Sequence, residues 1–524
     1  MMNKLRVVSL GAVAVLIGTV ACNNDKLTSL NVNPNNPEDV PATTIFTMAE
    51  RSAVAEWLGG GIADLRGTEW LVQHLAEVQY PDEDDYKRLQ ASSTSGLFDA
   101  PYRGELEDLQ KVILKGTKAN SPGTYAPAQI LRTWDFSYLT NTFGDIPYFQ
   151  ALKGDSIGST LTPAYDMQKN IYADFFSVLD AASKSLSTAA NALGAADPLY
   201  NGDPKSWQRF ANSLRARLAL QLVNVDPTTA NTQLTAAFAA PSGVFASNAQ
   251  SAVFPWPGDG VYNNPWADNF TGRDDHRMSQ TLMNIMLSTN DPRIGIYAQP
   301  TADWEGGVAG AAKYAGMPNG LTQSTASVYF TSTSRPGAIF YPGQTIYGFF
   351  GGSGKGLPAY VMTYAEVAFI EAEAAERSLG GLTPAQAPAF YNAAIKASME
   401  QWGVTDAATI ANFISGPQVA YQAGTAGLTQ IAVQKWIALY TDGAQAWAEW
   451  RRTCQPSTLV PGPFAIIGTV PRRFEYSNTE TSVNGSELSK AVSRQGADLF
   501  QTRMYWDMNP SAAPTYPGAT CGTR

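Results

Sequence analysis

The sequence is poor in side chains that commonly carry out catalysis. Its 524 residues include only two histidines, His74 and His276. Neither histidine has metal-ligand spacing or lies beside a nucleophile-elbow sequence. We therefore expect no catalytic residue, no metal and no cofactor, and a binding protein in place of an enzyme. An exported glycosidase stays as an alternative, because a sequence does not give the separation of two carboxylates.

Positive charge is also scarce. The chain has 36 Lys and Arg residues against 45 Asp and Glu residues, which gives a formal net charge of -9 at pH 7. Non-specific binding to nucleic acid needs an excess of cationic side chains that neutralise phosphates. The composition therefore argues against nucleic acid as a partner.

The N-terminal stretch MMNKLRVVSLGAVAVLIGTVAC has two basic residues and then an apolar run from Val7 to about Val20. This run is shorter than the ~20 residues that a transmembrane helix needs. We predict a signal peptide over residues 1–21. Cys22 follows small residues, as in a bacterial lipobox, and is the predicted site of lipid attachment. Plain secretion is the alternative.

Cysteine is nearly as rare as histidine, with three in the chain. If Cys22 carries lipid, Cys454 and Cys521 remain in a compartment that permits oxidation. These two either form a disulfide or stay as buried free thiols, because a sequence does not give the distance between their Cα atoms.

Glycine and proline are plentiful, and they separate segments with helical periodicity. Residues 22–41 are rich in Asn and Pro and are predicted to form an extended tether. Further along, Thr162 with Pro163 and Asp203 with Pro204 have the pattern of an N-cap followed by proline at the first helical position. Each pair precedes apolar residues at helical spacing.

A helix hairpin is predicted around Gly380 and Gly381. These glycines end one helix, and Thr383 with Pro384 begins a second, which closes at Gly403. Its size is that of a tetratricopeptide unit. The sequence thus predicts a mainly α domain over residues 42–524, with a tetratricopeptide-like helix-hairpin scaffold, long aromatic-rich loops and a few short strands.

The character of the chain changes between about residues 236 and 358. Gly, Pro and Asn interrupt any long helix there, while aromatic residues stay frequent. We expect irregular loops with short strands on one side of the scaffold. Because binding residues are disproportionately found on loops, this insertion is the predicted ligand-binding region.

Loop aromatics are the main candidates for ligand contact. Their flat faces suit the C–H groups of sugars, and neighbouring Asp, Asn and Arg suit the hydroxyls. A loop aromatic taken alone is more often a packing anchor, so the prediction depends on the set. The candidate ligand-binding residues are Tyr80, Asp82, Tyr86, Trp256, Tyr262, Trp266, Tyr341 and Tyr347.

Two acidic stretches were considered as further sites. The run from Asp82 to Asp85 could hold Ca²⁺ but lacks EF-hand spacing, so we interpret it as a solvated loop. Asp274 and Asp275 precede His276 without metal-ligand spacing and receive the same interpretation. We expect the other histidine to be partly buried in a helix.

The stretch AWAEWRRTC holds two tryptophans three residues apart, Trp447 and Trp450. This spacing places both rings on one helical face, which we expect to be buried. Arg451 and Arg452 fall in the last helical turn, where cations suit the negative end of the helix dipole. We interpret the stretch as a structural element of the fold and not as a catalytic centre.

Eight stretches together resemble the SusD/RagB-like nutrient-binding lipoproteins of the bacterial outer membrane. They extend along nearly the whole chain, and their order and spacing match the family. They are LNVNPNNPEDV, WDFSYLTNTFGDIPYFQAL, PAYDMQKNIYADFFSVLDAA, DPLYNGDPKSWQRFANSLRARLAL, NDPRIGIY, TYAEVAFIEAEAA, AWAEWRRT and PRRFEYSNTE.

This resemblance implies a mostly helical fold of tetratricopeptide-like units with loops gathered into a binding face. It also implies a lipid-anchored protein on the outer face of the outer membrane, acting as the lid of a SusC-like TonB-dependent transporter. The implied ligand is an oligosaccharide or a peptide. Aromatic loops favour sugar, whereas an acidic, tyrosine-bearing pocket also suits a cationic peptide. A helical scaffold that binds no nutrient is a further alternative.

Overall fold

The computed structural model describes residues 40–154, 160–343, 353–508 and 521–523. The predicted signal peptide, the predicted lipidation site Cys22, Tyr347 and all but the last two residues of the predicted tether lie outside the described residues. Within the described ranges, no helix combines the length and apolarity that a membrane crossing requires.

The fold is mainly α, as the sequence predicts, and its strands are short. The helices are α1 Ala42–Trp57, α2 Thr68–Leu71, α3 Pro81–Asp84, α4 Ala91–Arg103, α5 Glu105–Lys118, α6 Pro122–Phe143, α7 Gln168–Ser185, α8 Pro204–Gln221, α9 Pro227–Phe238, α10 Pro265–Asn269, α11 Gln280–Thr289, α12 Ile294–Tyr297, α13 Ala302–Glu305, α14 Gln323–Ala326, α15 Tyr364–Glu376, α16 Ala387–Gln401, α17 Ala407–Ile414, α18 Thr425–Ala438, α19 Gly443–Thr453, α20 Asn478–Val483 and α21 Gly485–Gln495. The strands are β1 Leu75–Glu77, β2 Ile146–Pro147, β3 Tyr165–Asp166, β4 Ala252–Phe254, β5 His276–Met278 and β6 Ala359–Met362.

Consecutive helices pack against each other along most of the scaffold. Helix α5 packs on α6, α6 on α7, α7 on α8, and α8 on α9; later α15 packs on α16 and α18 on α19. Among the described residues between α9 and α15, every helix and strand is short apart from α11. The strands form three antiparallel pairs, β1 with β5, β2 with β3, and β4 with β6. Helix pairs therefore form the frame, and the β1–β5 pair ties the insertion to it.

One predicted helix start is confirmed and another is wrong. The Asp203 carboxylate caps α8 by accepting the N–H groups of Lys205 and Ser206 at 3.4 and 3.0 Å. Thr162 caps no helix, because the chain first forms β3 and enters α7 only at Gln168. Within that strand the Asp166 carboxylate accepts the backbone N–H groups of Tyr148 and Phe149, directly after β2, at 3.1 and 2.8 Å.

The predicted hairpin between α15 and α16 is present. Gly380 and Gly381 both adopt positive φ, +66° and +76°, in the turn that follows the first helix. Such φ values are strained for residues with a Cβ atom, and a Cβ at Gly380 would meet the Phe238 ring at 2.7 Å. Glycine therefore permits both the turn and the close approach to α9.

Helix α19 is buried from Gly443 to Arg452. The Arg451 guanidinium lies 3.5 Å from the Trp447 ring centroid and donates to three backbone carbonyls. Arg452 donates two hydrogen bonds of 2.6 Å to Glu373 on α15. Although burial opposes ionisation, Arg452 and Arg377 hold the pKa of Glu373 below its ordinary value. The stretch is thus a structural element, as predicted.

The C-terminal segment is covalently tied to α19. Cys454, directly after the helix, forms a disulfide with Cys521, with 5.6 Å between the Cα atoms. The bond closes a loop across a sequence separation of 67 residues. Both cysteines are buried, and Gly522 next to the bond approaches the Trp450 ring.

Candidate functional site

The pairing of β1 with β5 brings two loops together at one end of the strands. Leu75 pairs with Met278 and Glu77 with His276, and the N–H of Val78 donates to the Asp275 carbonyl at 2.9 Å. The chain leaves β1 toward Tyr80 and enters β5 from Arg273. Residues 78–80 and 271–275 therefore meet, although nearly 200 residues separate them in the sequence.

Tyr80 and Arg273 form a stacked pair at this meeting point. The Arg273 guanidinium carbon lies 5.0 Å from the ring centroid of Tyr80, and Tyr80 is 52% exposed. Arg273 is held in place by Asp275, whose carboxylate accepts its Nε–H at 2.7 Å. Although burial opposes ionisation, hydrogen bonds from His276 and Arg273 hold the pKa of Asp275 below its ordinary value. The site thus presents a fixed cation beside an exposed ring.

A second ring and its cations continue this surface. Arg277 lies 4.6 Å from the ring centroid of Phe330 and donates to the Phe330 carbonyl at 2.8 Å. Phe330 is 36% exposed. The half-exposed Asp274 carboxylate lies 3.6 Å from Nη1 of both Arg277 and Arg335. The Phe330 ring therefore lies beside a guanidinium group that faces a half-exposed carboxylate.

Trp304 extends the same surface. It is 45% exposed, and Lys313 Nζ lies 5.3 Å from its ring centroid. The N–H of Asp303 donates to the carbonyl of Thr331 at 3.1 Å, which ties the Trp304 helix to the residue after Phe330. We name the surface made by Tyr80, Arg273, Asp274, Trp304, Phe330 and Arg335 the loop face.

The chemistry of the loop face suits a polar ligand with apolar faces. Exposed rings can contact C–H groups, and guanidinium and carboxylate groups can donate to and accept from hydroxyls. Sugars combine both requirements. The guanidinium groups beside Tyr80 and Phe330 are already paired with carboxylates, Arg273 with Asp275 and Arg277 with Asp274, so they are positioned before a ligand arrives.

Of the residues that the sequence singled out, Tyr80 lies on the loop face and the half-buried Asp82 lies two residues beyond it. Tyr341 stacks on Phe270, with 4.6 Å between ring centroids. Burial and the nearby Asp274 raise the pKa of Tyr341 above its ordinary value. Tyr341 therefore lies behind the loop face and packs against the residues beneath it.

Three of the predicted rings, Tyr86, Trp256 and Trp266, are buried. Trp266 donates its indole N–H to the buried Asp64 carboxylate at 2.7 Å. Trp256 packs on Phe254 with 4.9 Å between ring centroids. We therefore assign these three rings a packing role in place of the ligand-binding role expected from the sequence.

Tyr262 is exposed but lies at another place. Its ring contacts the Arg51 guanidinium of α1 at 4.7 Å, so it joins the insertion to the first helix. The structure gives it no contact with the loop face. Trp304 and Phe330, which do belong to the face, were missed. The sequence pattern that could have indicated them is an aromatic residue flanked by polar and small residues, in TADWEGG and SVYFTST.

The acidic run was wrongly interpreted as a solvated loop. Glu83, Asp84 and Asp85 are buried, and each carboxylate has partners. Glu83 pairs with Arg66, and Asp84 accepts the N–H groups of Glu77 and Gly320. Burial raises the pKa of Asp84 to about 7. These acids hold the loop after β1 in place.

Both histidines are also fully buried, whereas the sequence predicts a partly buried helix residue at His74 and a solvated loop at His276. His74 lies between α2 and β1, with its ring 4.6 Å from that of Trp436 and its Nδ1 2.8 Å from Glu69. Burial lowers its pKa to about 3. His276 is the first residue of β5, where its ring contacts Trp70 and Phe270.

Comparison with known proteins identifies relatives that match most of the chain. A model of a SusD-like family, described as starch-binding and associating with the outer membrane, matches residues 34–477. No curated protein sequence matches the chain. A chitin-binding SusD homolog from Flavobacterium johnsoniae is 26% identical, with a TM-score of 0.74 over 91% of this chain and 99% of that one. A SusD homolog from Bacteroides fragilis is 22% identical, with a TM-score of 0.75 over 90% of this chain and 100% of that one.

Proposed function

The chain belongs to the SusD-like family, and on that basis we propose that it binds a glycan at the outer membrane. Its ligand surface is the loop face. The observation that carries the proposal is the exposed Tyr80 ring with the Arg273 guanidinium fixed beside it at 5.0 Å. An aromatic ring and the N–H groups of a guanidinium at this spacing can contact one sugar unit together. The ring would contact the C–H face of the sugar, and the guanidinium would donate to its hydroxyls.

An oligosaccharide with acetamido groups is our first candidate ligand. The homolog from Flavobacterium johnsoniae is a chitin-binding protein and aligns with 91% of this chain. An acetamido group offers a methyl to an aromatic ring and a carbonyl oxygen to a guanidinium. Tyr80, Trp304, Arg273 and Arg335 supply these partners on the loop face.

The proposed role is capture and delivery, without chemical change of the ligand. We propose that Cys22 carries the lipid anchor, that the protein faces the outside of the cell, and that it acts as the lid of a SusC-like TonB-dependent transporter. Family membership and the described outer-membrane association of the family support this proposal. A stable complex with a membrane barrel would form through the scaffold, which leaves the loop face free for the ligand.

Calorimetric titration of the chain lacking residues 1–22 tests the ligand class. The panel contains chitin oligosaccharides, malto-oligosaccharides and cationic oligopeptides. We expect heat from a chitin oligosaccharide, with a constant amount of reducing ends before and after incubation. Heat from peptides alone would refute the glycan proposal, and a rise in reducing ends abolished by one carboxylate substitution would show an enzyme.

Mild detergent extraction of native membranes tests the transport role separately. A tagged chain is expected to co-purify with a large outer-membrane barrel. Recovery of the tagged chain alone, under conditions that keep other membrane complexes intact, would contradict the lid proposal and leave the glycan proposal standing.

A further inference from the structure

Beneath the loop face, the β1–β5 pair brings three potential metal ligands together. Glu77 and His276 are register partners in the antiparallel pair, and Asp275 immediately precedes His276. One ligand atom from each of these side chains lies within 4.8 Å of the other two. All three residues are at most 1% exposed. Small side-chain rotations would bring a carboxylate, a second carboxylate and an imidazole to one ion.

Two buried atoms of this cluster have no hydrogen-bond partner. Glu77 Oε1 accepts the N–H groups of Gln79 and Tyr80 at 2.9 and 3.1 Å, but Glu77 Oε2 accepts none. That oxygen points into the cluster, where it lies 3.8 Å from the Arg273 nitrogen that binds Asp275. His276 Nε2 is likewise without a partner. Buried polar atoms are rarely left unpaired, because each one costs free energy.

Further charged side chains border the cluster. Three carboxylates, those of Glu77, Glu83 and Asp275, face the guanidinium of Arg273. Arg66 pairs with Glu83 from the other side. The cluster therefore lies within a network of carboxylates and guanidinium groups, with the partly exposed Arg273 at its edge.

We propose that Glu77, Asp275 and His276 bind a divalent transition-metal ion, with Zn²⁺ as the probe. Two carboxylates and one imidazole form a donor set that suits Zn²⁺ and its neighbours. Ca²⁺ prefers six to eight oxygen ligands, and imidazole does not suit it. Arg273 would keep its contacts with Asp275 and Glu83 at the edge of the site.

Such an ion would fix the two loops of the loop face. Glu77 ends β1 three residues before Tyr80, and Asp275 lies two residues after Arg273. An ion between them would join the two loop ends that carry the stacked pair. The proposed metal site stands on the cluster itself, and it does not depend on the glycan proposal.

Metal binding is tested on the chain lacking residues 1–22, after treatment with a chelator and dialysis. Zn²⁺ is titrated in competition with a chromophoric chelator, for the wild type and for Glu77→Gln and His276→Gln. Glu371→Gln, which alters another largely buried carboxylate on α15, is the matched control. We expect one Zn²⁺ per chain, at least tenfold weaker affinity in the two cluster variants, unchanged affinity in the control, and no competition from Ca²⁺.

Equal Zn²⁺ affinity in all four proteins, or binding of much less than one Zn²⁺ per chain in the wild type, would overturn the proposal. If a cluster variant fails to fold by circular dichroism, crystals of the wild type grown with Zn²⁺ decide the matter. An anomalous peak at the zinc edge between the three side chains supports the site. Absence of that peak, or a peak only elsewhere, refutes it.

Discussion

The Arg273 guanidinium carbon lies 5.0 Å from the centroid of the Tyr80 ring, although the two residues are almost 200 positions apart in the chain. Arg273 is anchored from below by the buried Asp275 carboxylate. The pair is therefore arranged before any ligand binds, which reduces the side-chain entropy lost on binding. A pre-arranged ring and donor fork on an exposed surface is the physical basis of the proposed glycan site.

Tyr80→Ala should weaken oligosaccharide binding. The substitution removes the exposed ring and leaves the buried Asp275 and Arg273 contacts in place. We expect an affinity loss of about tenfold, or ~1.4 kcal/mol, by titration calorimetry. The matched control is Phe149→Ala, which removes an exposed ring outside the loop face. Equal losses in the two variants would contradict a specific role for Tyr80.

Trp266→Ala should act on stability and not through lost ligand contact. The ring is buried, packs against Phe340 and Tyr440, and satisfies the Asp64 carboxylate. Its removal leaves a cavity and an unpaired buried acceptor, so we expect a loss of about 3–5 kcal/mol in the free energy of unfolding. Chemical denaturation measures it. Unchanged stability together with lost ligand binding would restore Trp266 as a binding residue.

Cys454→Ser should lower the free energy of unfolding by ~4 kcal/mol, because the disulfide closes a long loop in the unfolded chain. Ligand affinity should not change, since the bond lies at α19 and away from the loop face. Thermal unfolding is measured with and without reductant. A difference between wild type and variant that is the same in both conditions would show that the disulfide does not stabilise the protein.

Glu371→Gln should change how stability depends on pH. Burial raises the pKa of Glu371 from 4.5 to about 7, so the folded protein holds this proton more tightly than the unfolded chain. The contribution of Glu371 to the free energy of unfolding of the wild type therefore falls as pH rises from about 4.5 to about 7. In urea denaturation, the free energy of unfolding of the variant minus that of the wild type should be more positive at pH 8 than at pH 5. Parallel stability curves over that interval would contradict the assignment.

The helical scaffold was largely predictable from the sequence because its signals are local. Asp203 before Pro204 predicts the start of α8, and Gly380 with Gly381 predicts the end of the α15 segment, since capping and positive φ depend on a few adjacent residues. Thr162 gave the same local pattern but was overridden by β3, whose partner strand lies elsewhere in the chain.

The candidate site was predictable only in part, because burial is decided by contacts between distant segments. The sequence predicts both Tyr80 and Trp266 as aromatic loop residues, yet Tyr80 is exposed, whereas Trp266 lies in α10 and donates to Asp64, about 200 residues earlier. The sequence predicts a solvated stretch around His276, but β1 pairs with this stretch in the fold. The sequence does not single out Trp304, because its helix meets the Phe330 segment only through a contact between distant parts of the chain.

A crystal structure of the chain with a chitin oligosaccharide tests the central claim most directly. Our account predicts sugar density on the loop face, with one ring stacked on Tyr80 and an oxygen within hydrogen-bond distance of Arg273. Density confined to another surface, such as the cavity of about 480 Å³ lined by Tyr102, Arg103 and Glu480, would contradict it.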